Sequence, residues 1–307
     1  MSDKRIRRIK TISEFHRLRG LPKPEHPLIS VIDLGSIDDS YAVSEPSTFI
    51  YDFYMIALKR NCHAKFRYGQ QEYDFDEGVM SFMSPNQVFG IEPRSKEGPR
   101  QTGWIMLIHP DFLWNTPLAK AMRKYEFFGY SVNEALFLSE KEEATIVGLL
   151  QNIKDEYHSK IDKFSQDIII SQIEVLLTYS DRFYHRQFIT RKIANHKILD
   201  RLEEILDACF NGDDLIENGL PSVQLIAREL NVSPNYLSGL LKVLTGQSTQ
   251  QHIHEKLIEK AKEKLSTTDL SVGEIAYALG FEHPQSFSKL FKAKTNLSPL
   301  EFRRSFD

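Results

Sequence analysis

The chain has 307 residues, with 39 Lys or Arg against 42 Asp or Glu and a formal net charge of −3. A pI near 6.4 excludes a protein held to nucleic acid by its overall charge, so any such contact has to come from a local surface. The length is more than one small helical core can use, and more than one domain is expected.

Cys62 and Cys209 lie in different predicted domains, so no disulfide framework is expected. The N-terminal MSDKRIRRIK is basic but is followed by SEFHRLRG rather than an apolar run, which does not read as a secretory signal. No stretch approaches the roughly 18 apolar residues of a membrane span. The expected location is cytoplasmic, without membrane contact.

From about Pro27 to Leu138 the runs LISVIDL, TFIYDFYMIALK, KFRYGQQEYDF, GVMSFMSP and TGWIMLIHP are aromatic or β-branched. Turn clusters separate them, at Asp38-Asp39-Ser40, Asp76-Glu77-Gly78 and Ser84-Pro85-Asn86. Short strands at this spacing predict a small barrel or jelly roll. Tyr51, Phe53, Phe66, Tyr73, Phe82 and Trp104 are its candidate pocket aromatics for a small-molecule effector, against the alternative that each is simply core. Its histidines, His63 and His109 besides the flanking His26, show no paired ligand spacing, so neither a metal nor a cofactor is expected.

Residues 139–190 change to a helical pattern. Ser139 and Glu142 have capping-box spacing, followed by Ile146, Leu149, Leu150, Ile153 and Tyr157 on one face. A second helix carries Ile169, Ile173, Leu176, Leu177 and Phe183, joined to the first through the polar stretch 159–163. The hairpin packs on its own barrel or pairs with a second chain. In the second case Leu150, Ile153, Ile169, Ile173, Leu176 and Leu177 are the interface. Arg182, Arg186, Arg191 and Lys192 then mark a basic join.

The most informative segment is 196–307, where one pattern is written twice. SVQLIARELNVSPNYLSGLLKVLTGQS starts at Ser222 and SVGEIAYALGFEHPQSFSKLFKAKTNLS at Ser271, with equivalent positions 49 or 50 apart and one residue gained in the turn. Ser222 and Ser271 are placed to cap a first helix, and Pro234 and Pro284 stand in the first turn of a second, where no amide donor is needed. The second helix keeps Leu237, Leu240 and Leu241, or Phe287, Leu290 and Phe291, inward. Its other face presents Asn235, Ser238 and Lys242, or Gln285, Ser288, Lys289 and Lys292, the amide, hydroxyl and ammonium groups that pair with base edges and phosphates in a major groove.

Between the copies STQQHIHEKLIEKAKEKLSTTD lacks Gly and Pro and reads as one helix of about 27 Å, enough to hold two reading helices near the spacing of successive major grooves. His252 and His254 fall on different faces of it, which makes them poor joint ligands. Lys289, Lys292, Lys294, Arg303 and Arg304 oppose only Glu301 between Pro284 and Arg304, the local positive surface that the whole-chain charge lacks.

These residues resemble the AraC/XylS family of bacterial transcription regulators, whose DNA-binding domain joins two helix-turn-helix units by a long helix. The second copy carries the resemblance at Ile275, Ala276, Gly280, Phe281, Pro284, Phe287, Ser288, Phe291, Lys292, Ser298, Pro299 and Arg303. Carried over by position, it implies base contacts from Asn235, Ser238 and Gly239 in the first unit and from Gln285, Ser288 and Lys289 in the second. Ser222, Lys242, Ser271, Lys292, Ser298, Arg303 and Arg304 are the candidate phosphate contacts.

Gly239 stands where the family often has an arginine, so the first unit is expected to read bases less sharply. Asn296 replaces a usual glycine but tolerates the left-handed backbone of a helix end. EYDFDEGVMSFMSPNQVF is similar to the second half of the cupin-like sensor domains found in the same family.

The expected architecture is multidomain α+β: a cupin-like β-barrel over residues 1–138, the helical hairpin 139–190, and an all-α double helix-turn-helix over 196–307. The expected function is a sequence-specific regulator, not an enzyme, with double-stranded DNA, RNA polymerase, a small-molecule effector and a second copy of itself as partners. The alternatives are a constitutive DNA binder whose barrel only dimerises, and a cupin-type metal enzyme with an accessory helical domain.

Overall fold

The structure is a computed structural model that describes residues 6–36, 47–60, 66–68, 71–73, 78–91, 102–130, 134–158, 164–190, 192–211, 215 and 219–305. The chain divides into two compact units, residues 1–187 and 188–307. Among the described residues no helix is long and apolar enough to cross a membrane.

The first unit opens with β1 (Ile6–Ile9) and α1 (Ile12–Leu18). Thr11 and Glu14 form a reciprocal capping box at the start of α1, and Ile12, Phe15 and His16 are its buried face. Then follow β2 (Ile29–Asp33), β3 (Ser47–Tyr51), β4 (Tyr54–Arg60), β5 (Phe66–Tyr68), β6 (Gln71–Tyr73), β7 (Val79–Met83), β8 (Val88–Ile91) and β9 (Thr102–Ile108). The short helix α2 (Pro117–Ala121), the two-residue strand β10 (Leu136–Phe137), α3 (Glu140–His158) and α4 (Ser165–Thr190) complete the series.

The strands form an antiparallel sheet in the order β10-β7-β4-β9-β2, a three-stranded sheet β1-β3-β8 and the hairpin β5-β6. Period-two alternation divides the large sheet into two apolar faces. Ile32, Met55, Met83 and Leu107 join one hydrophobic cluster with Phe49 and Tyr51 of the small sheet and Ile12 and Phe15 of α1. On the opposite face Phe82 meets the rings of Phe127, Phe128 and Tyr184 at 4.4, 5.6 and 6.1 Å. Burial on both faces explains why β4 reads as a continuous apolar run.

Three expectations change here. Among the described residues the sheets do not close into a barrel: the large sheet ends at β10 and β2. The run TFIYDFYMIALK is two strands, because the chain leaves the small sheet after Tyr51 and enters the large one at Tyr54. The third concerns the helical pair. Leu150, Ile153, Ile169, Ile173, Leu176 and Leu177 are at most 3% exposed within a single chain, so they have no surface to give to a second copy. They are core, and α3 with nearly all of α4 belongs to the first unit. The linking stretch 159–163 lies outside the described residues.

One tyrosine shows how the helices and sheet are fastened. The amide of Val31, on the outer edge of β2, donates to the Tyr157 hydroxyl at 2.9 Å, and that hydroxyl donates back to the Val31 carbonyl at 3.1 Å. The side chain thereby satisfies an edge that would otherwise remain open to another strand. Arg186 adds a second tie, bonding the Phe137 carbonyl at 2.8 Å and Glu142 at 2.6 Å. Arg191 lies outside the described residues.

The second unit contains α5 (Lys192–Asn211), α6 (Val223–Glu229), α7 (Pro234–Thr245), α8 (Thr249–Thr267), α9 (Val272–Ala278), α10 (Pro284–Thr295) and α11 (Pro299–Arg304). One core serves all of it. Ile226 and Ala227 of α6, Leu237 and Leu241 of α7, and Ile275, Ala276, Phe287 and Phe291 of α9 and α10 share a cluster with Ile253, Leu257, Ile258, Ala261 and Leu265 of α8. Leu202, Ile205, Leu206 and Phe210 of α5 join the same cluster.

Candidate nucleic-acid interface

The two repeats fold alike down to single hydrogen bonds. In the first, the amides of Leu230 and Val232 donate to the carbonyls of Ile226 and Ala227, both at 3.0 Å. In the second, Leu279 and Phe281 donate to Ile275 and Ala276 at the same distances. The turns place Asn231 and Gly280 in the left-handed region, at φ 55° and 81°. Gly280 has no substitute, because a Cβ there would stand 2.9 Å from the Leu215 carbonyl oxygen.

The residue gained by the second copy lies between Phe281 and Pro284. It changes the cap: Ser233 accepts from the Tyr236 amide at 3.2 Å at the start of α7, whereas His283 makes no side-chain cap on α10. Pro234 and Pro284 occupy the first turns as the sequence predicts. The two helices also end alike, at Gly246 with φ 76° and Asn296 with φ 63°.

Nineteen residues of α8 separate the repeats, about 28 Å at 1.5 Å per residue. Its acidic residues are largely occupied. Glu259 pairs with Lys256 at 3.2 Å, a lysine that Asp207 of α5 also holds at 2.6 Å, and Glu263 pairs with Lys260 at 2.8 Å. The Asp207 hydrogen bond holds the Lys256 ammonium above its ordinary pKa. His252 and His254 take separate partners, Thr245 and Gln250, each at 2.9 Å. Burial and then the neighbouring Lys294 charge push the His254 imidazole below its usual pKa, so it stays neutral beside that lysine at neutral pH.

The six candidate base contacts are placed differently from one another. Asn235, Gln285 and Lys289 are exposed and have no partner among the described residues. Ser238 is half-buried, its hydroxyl 3.2 Å from that of Thr249, and Ser288 donates to the Pro284 carbonyl at 3.0 Å. Gly239 is half-buried and has no side chain to extend. The second helix-turn-helix therefore presents two free polar side chains, and the first presents one.

Among the phosphate candidates, Lys242, Lys292 and Arg304 are exposed. Ser222, Ser271 and Ser298 cap α6, α9 and α11, accepting from the Leu225, Glu274 and Glu301 amides at 3.1, 3.2 and 3.2 Å. Arg303, beyond the second repeat, has an internal task that the sequence does not disclose. It donates to the carbonyls of Leu265 and Leu270 at 3.2 and 2.6 Å and so fastens α11 to the segment that ends α8.

In the first unit Tyr51, Phe53 and Phe82 are at most 4% exposed. Phe15 packs edge-on against Tyr51 and Phe53, with centroids at 5.9 and 6.1 Å. These three candidate pocket residues are core. Trp104 is half-buried with the Lys154 ammonium 5.6 Å from its ring centroid. The side chains of Phe66 and Tyr73, like residues Cys62 and His63, lie outside what is described.

A family profile described as "Helix-turn-helix domain" matches residues 226–305. An uncharacterised helix-turn-helix-type transcriptional regulator of Escherichia coli K12, YijO, is 36% identical over 81 residues, 26% of this chain and 29% of its own length. The arabinose operon regulatory protein of Salmonella typhimurium is 28% identical over 141 residues, 46% of this chain and 47% of its own. Among solved structures, the C-terminal domain of AraT, a response regulator from Geobacillus stearothermophilus, is 32% identical over 35% of this chain and 84% of that one, with a TM-score of 0.31. The chain thus spans less than half the length of either of these two full-length relatives. Its C-terminal segment is a helix-turn-helix domain of the AraC type.

Proposed function

We propose that the whole chain is a sequence-specific transcription regulator, acting in the cytoplasm, that reads two adjacent major-groove segments of duplex DNA. The observation that carries this reading is the duplicated presentation of α7 and α10, with matched turns and ends, on the single core organised by α8. Lys289 and Gln285 read base edges in one segment, Asn235 reads the other, and Lys242, Lys292 and Arg304 hold phosphates. The first helix-turn-helix reads less sharply because Gly239 contributes nothing and the Ser238 hydroxyl is engaged. Bound protein then recruits or blocks RNA polymerase.

The first unit is the regulatory part, a cupin-like sensor in this reading. Tyr51, Phe53 and Phe82 fill its interior, which favours a second reading in which that interior holds no effector and the unit serves assembly. The homodimer contact then uses the outward side of α4, where Ile168 and Val175 are 40% and 44% exposed.

Fluorescence anisotropy of the full chain on its preferred duplex and on a scrambled duplex tests the reading. A preference of about a thousandfold or more is expected at physiological salt. A ratio near one overturns sequence-specific binding.

A further inference from the structure

The first 26 residues carry Lys or Arg at eight positions and Asp or Glu at three, in a chain that is acidic overall. Part of this charge surrounds an open cleft of about 500 Å3 between β1 and α1, lined by Arg7, Arg8, Ile9, Glu14, Arg17 and Leu18. Three guanidinium groups thus share a concavity with one carboxylate, and that carboxylate is already engaged. Glu14 accepts from the amides of Lys10 and Thr11 at 2.7 and 3.3 Å as half of the capping box of α1.

Arg8 is also committed, with Nε 2.8 Å from an Asp52 carboxylate oxygen and Nη2 2.6 Å from the Asn86 side-chain oxygen. It forms a fixed wall. Arg7 and Arg17 are exposed and have no partner among the described residues. Two guanidinium groups without a carboxylate partner lining one concavity attract an anion into it. The planar fork of each matches two oxygens of a phosphoryl group through parallel N–H···O bonds.

We propose that this cleft binds a small phosphorylated molecule. Arg7 and Arg17 donate to its phosphate oxygens, Arg8, held by Asp52 and Asn86, shapes the wall, and Ile9 and Leu18 pack on the rest of the ligand. The volume lies within the range of about 300–1,000 Å3 usual for small-ligand sites, and a concave site suits a compact anion better than the convex ridge of a duplex backbone. The claim stands whether or not the second unit reads DNA.

Isothermal titration of the full chain with inorganic pyrophosphate at low salt is the test. One saturable site per chain is expected. The Arg7→Ala, Arg17→Ala double variant weakens it tenfold or more, and Arg7→Lys, Arg17→Lys weakens it severalfold by keeping the charge and losing the fork. Both side chains are exposed, so the unfolding temperature without ligand stays unchanged in either variant. Lys289→Ala with Lys292→Ala, on the DNA-reading face, leaves pyrophosphate binding intact. Glycerol 1-phosphate, a small phosphomonoester, competes for the site.

Absence of saturable binding at millimolar pyrophosphate, indifference to the alanine pair, or loss of binding in the Lys289, Lys292 variant overturns the proposal. So does displacement of pyrophosphate from that variant by a short duplex but not by glycerol 1-phosphate, which would assign the cleft to a nucleic-acid backbone.

Discussion

Replacing Phe287 by alanine probes the helix phase on which the interface rests. The ring is fully buried, with centroids of Phe281 and Phe291 at 5.5 and 5.8 Å. Its removal forfeits about 1.5–3 kcal/mol of transfer free energy. The void adds to this: at about 24 cal/mol per Å3, an unfilled 50–100 Å3 costs roughly 1–2.5 kcal/mol more. A total of about 3–5 kcal/mol follows.

For a unit of about 120 residues, an unfolding entropy near 2.1 cal/mol/K per residue converts 4 kcal/mol into a fall of about 15 °C in Tm. Far-UV circular dichroism follows the helices of both units, while the two tryptophans, Trp104 and Trp114, lie in the first and report on it alone, so a dichroism shift without a shift in tryptophan emission belongs to the second. A dichroism shift corresponding to less than about 1 kcal/mol refutes the reasoning. It would place Phe287 at the surface and turn Gln285 and Lys289 away from the groove.

Tyr157→Phe removes the hydroxyl bonded to both backbone groups of Val31. It should cost about 1–3 kcal/mol in urea unfolding followed by tryptophan emission, and a loss below about 0.5 kcal/mol would show that water replaces it. Ser271 through its hydroxyl and amide, and Ser298 through its amide and hydroxyl, hold Glu274 and Glu301 below the ordinary carboxylate value of 4.5. A folded pKa depressed in this way contributes stability above the unfolded value and loses it as pH falls through the folded one. Glu274→Gln with Glu301→Gln should therefore shallow the acid limb of stability below about pH 4.5, and an unchanged limb would contradict it. Gln285→Ala or Lys289→Ala should cost about 1–3 kcal/mol on the preferred duplex and relax one position, whereas Lys292→Ala should weaken all duplexes equally and lower the salt slope by about one. A uniform loss for Gln285 would reassign it to the backbone.

Much of the second unit is written locally, which is why its sequence discloses it. Caps, first-turn prolines and the spacing of Ile275, Ala276, Phe287 and Phe291 each specify one turn of helix, and the repeat checks every choice twice. What stays hidden there depends on distant partners: the use of Arg303 on the carboxyl side of α8, and the share of α5 in the core.

The first unit is less legible because its order is non-local. An apolar run does not say which sheet it joins, so the break at Asp52 and Phe53 passes unnoticed. Nor does an amphipathic helix say whether a sheet or a second chain covers it, which is where the dimer reading of Leu150 and Ile173 failed. For α1 the sequence does carry a local signal, the Thr11 and Glu14 capping box.

Selection of bound sequences from a random duplex pool with the full chain, at two salt concentrations, tests the central claim most directly. The account predicts one enriched motif spanning two adjacent major-groove segments, with more information in the segment read by Gln285 and Lys289, and recovery falling as salt rises. No enrichment at either salt concentration, or a motif confined to a single groove segment, would contradict it.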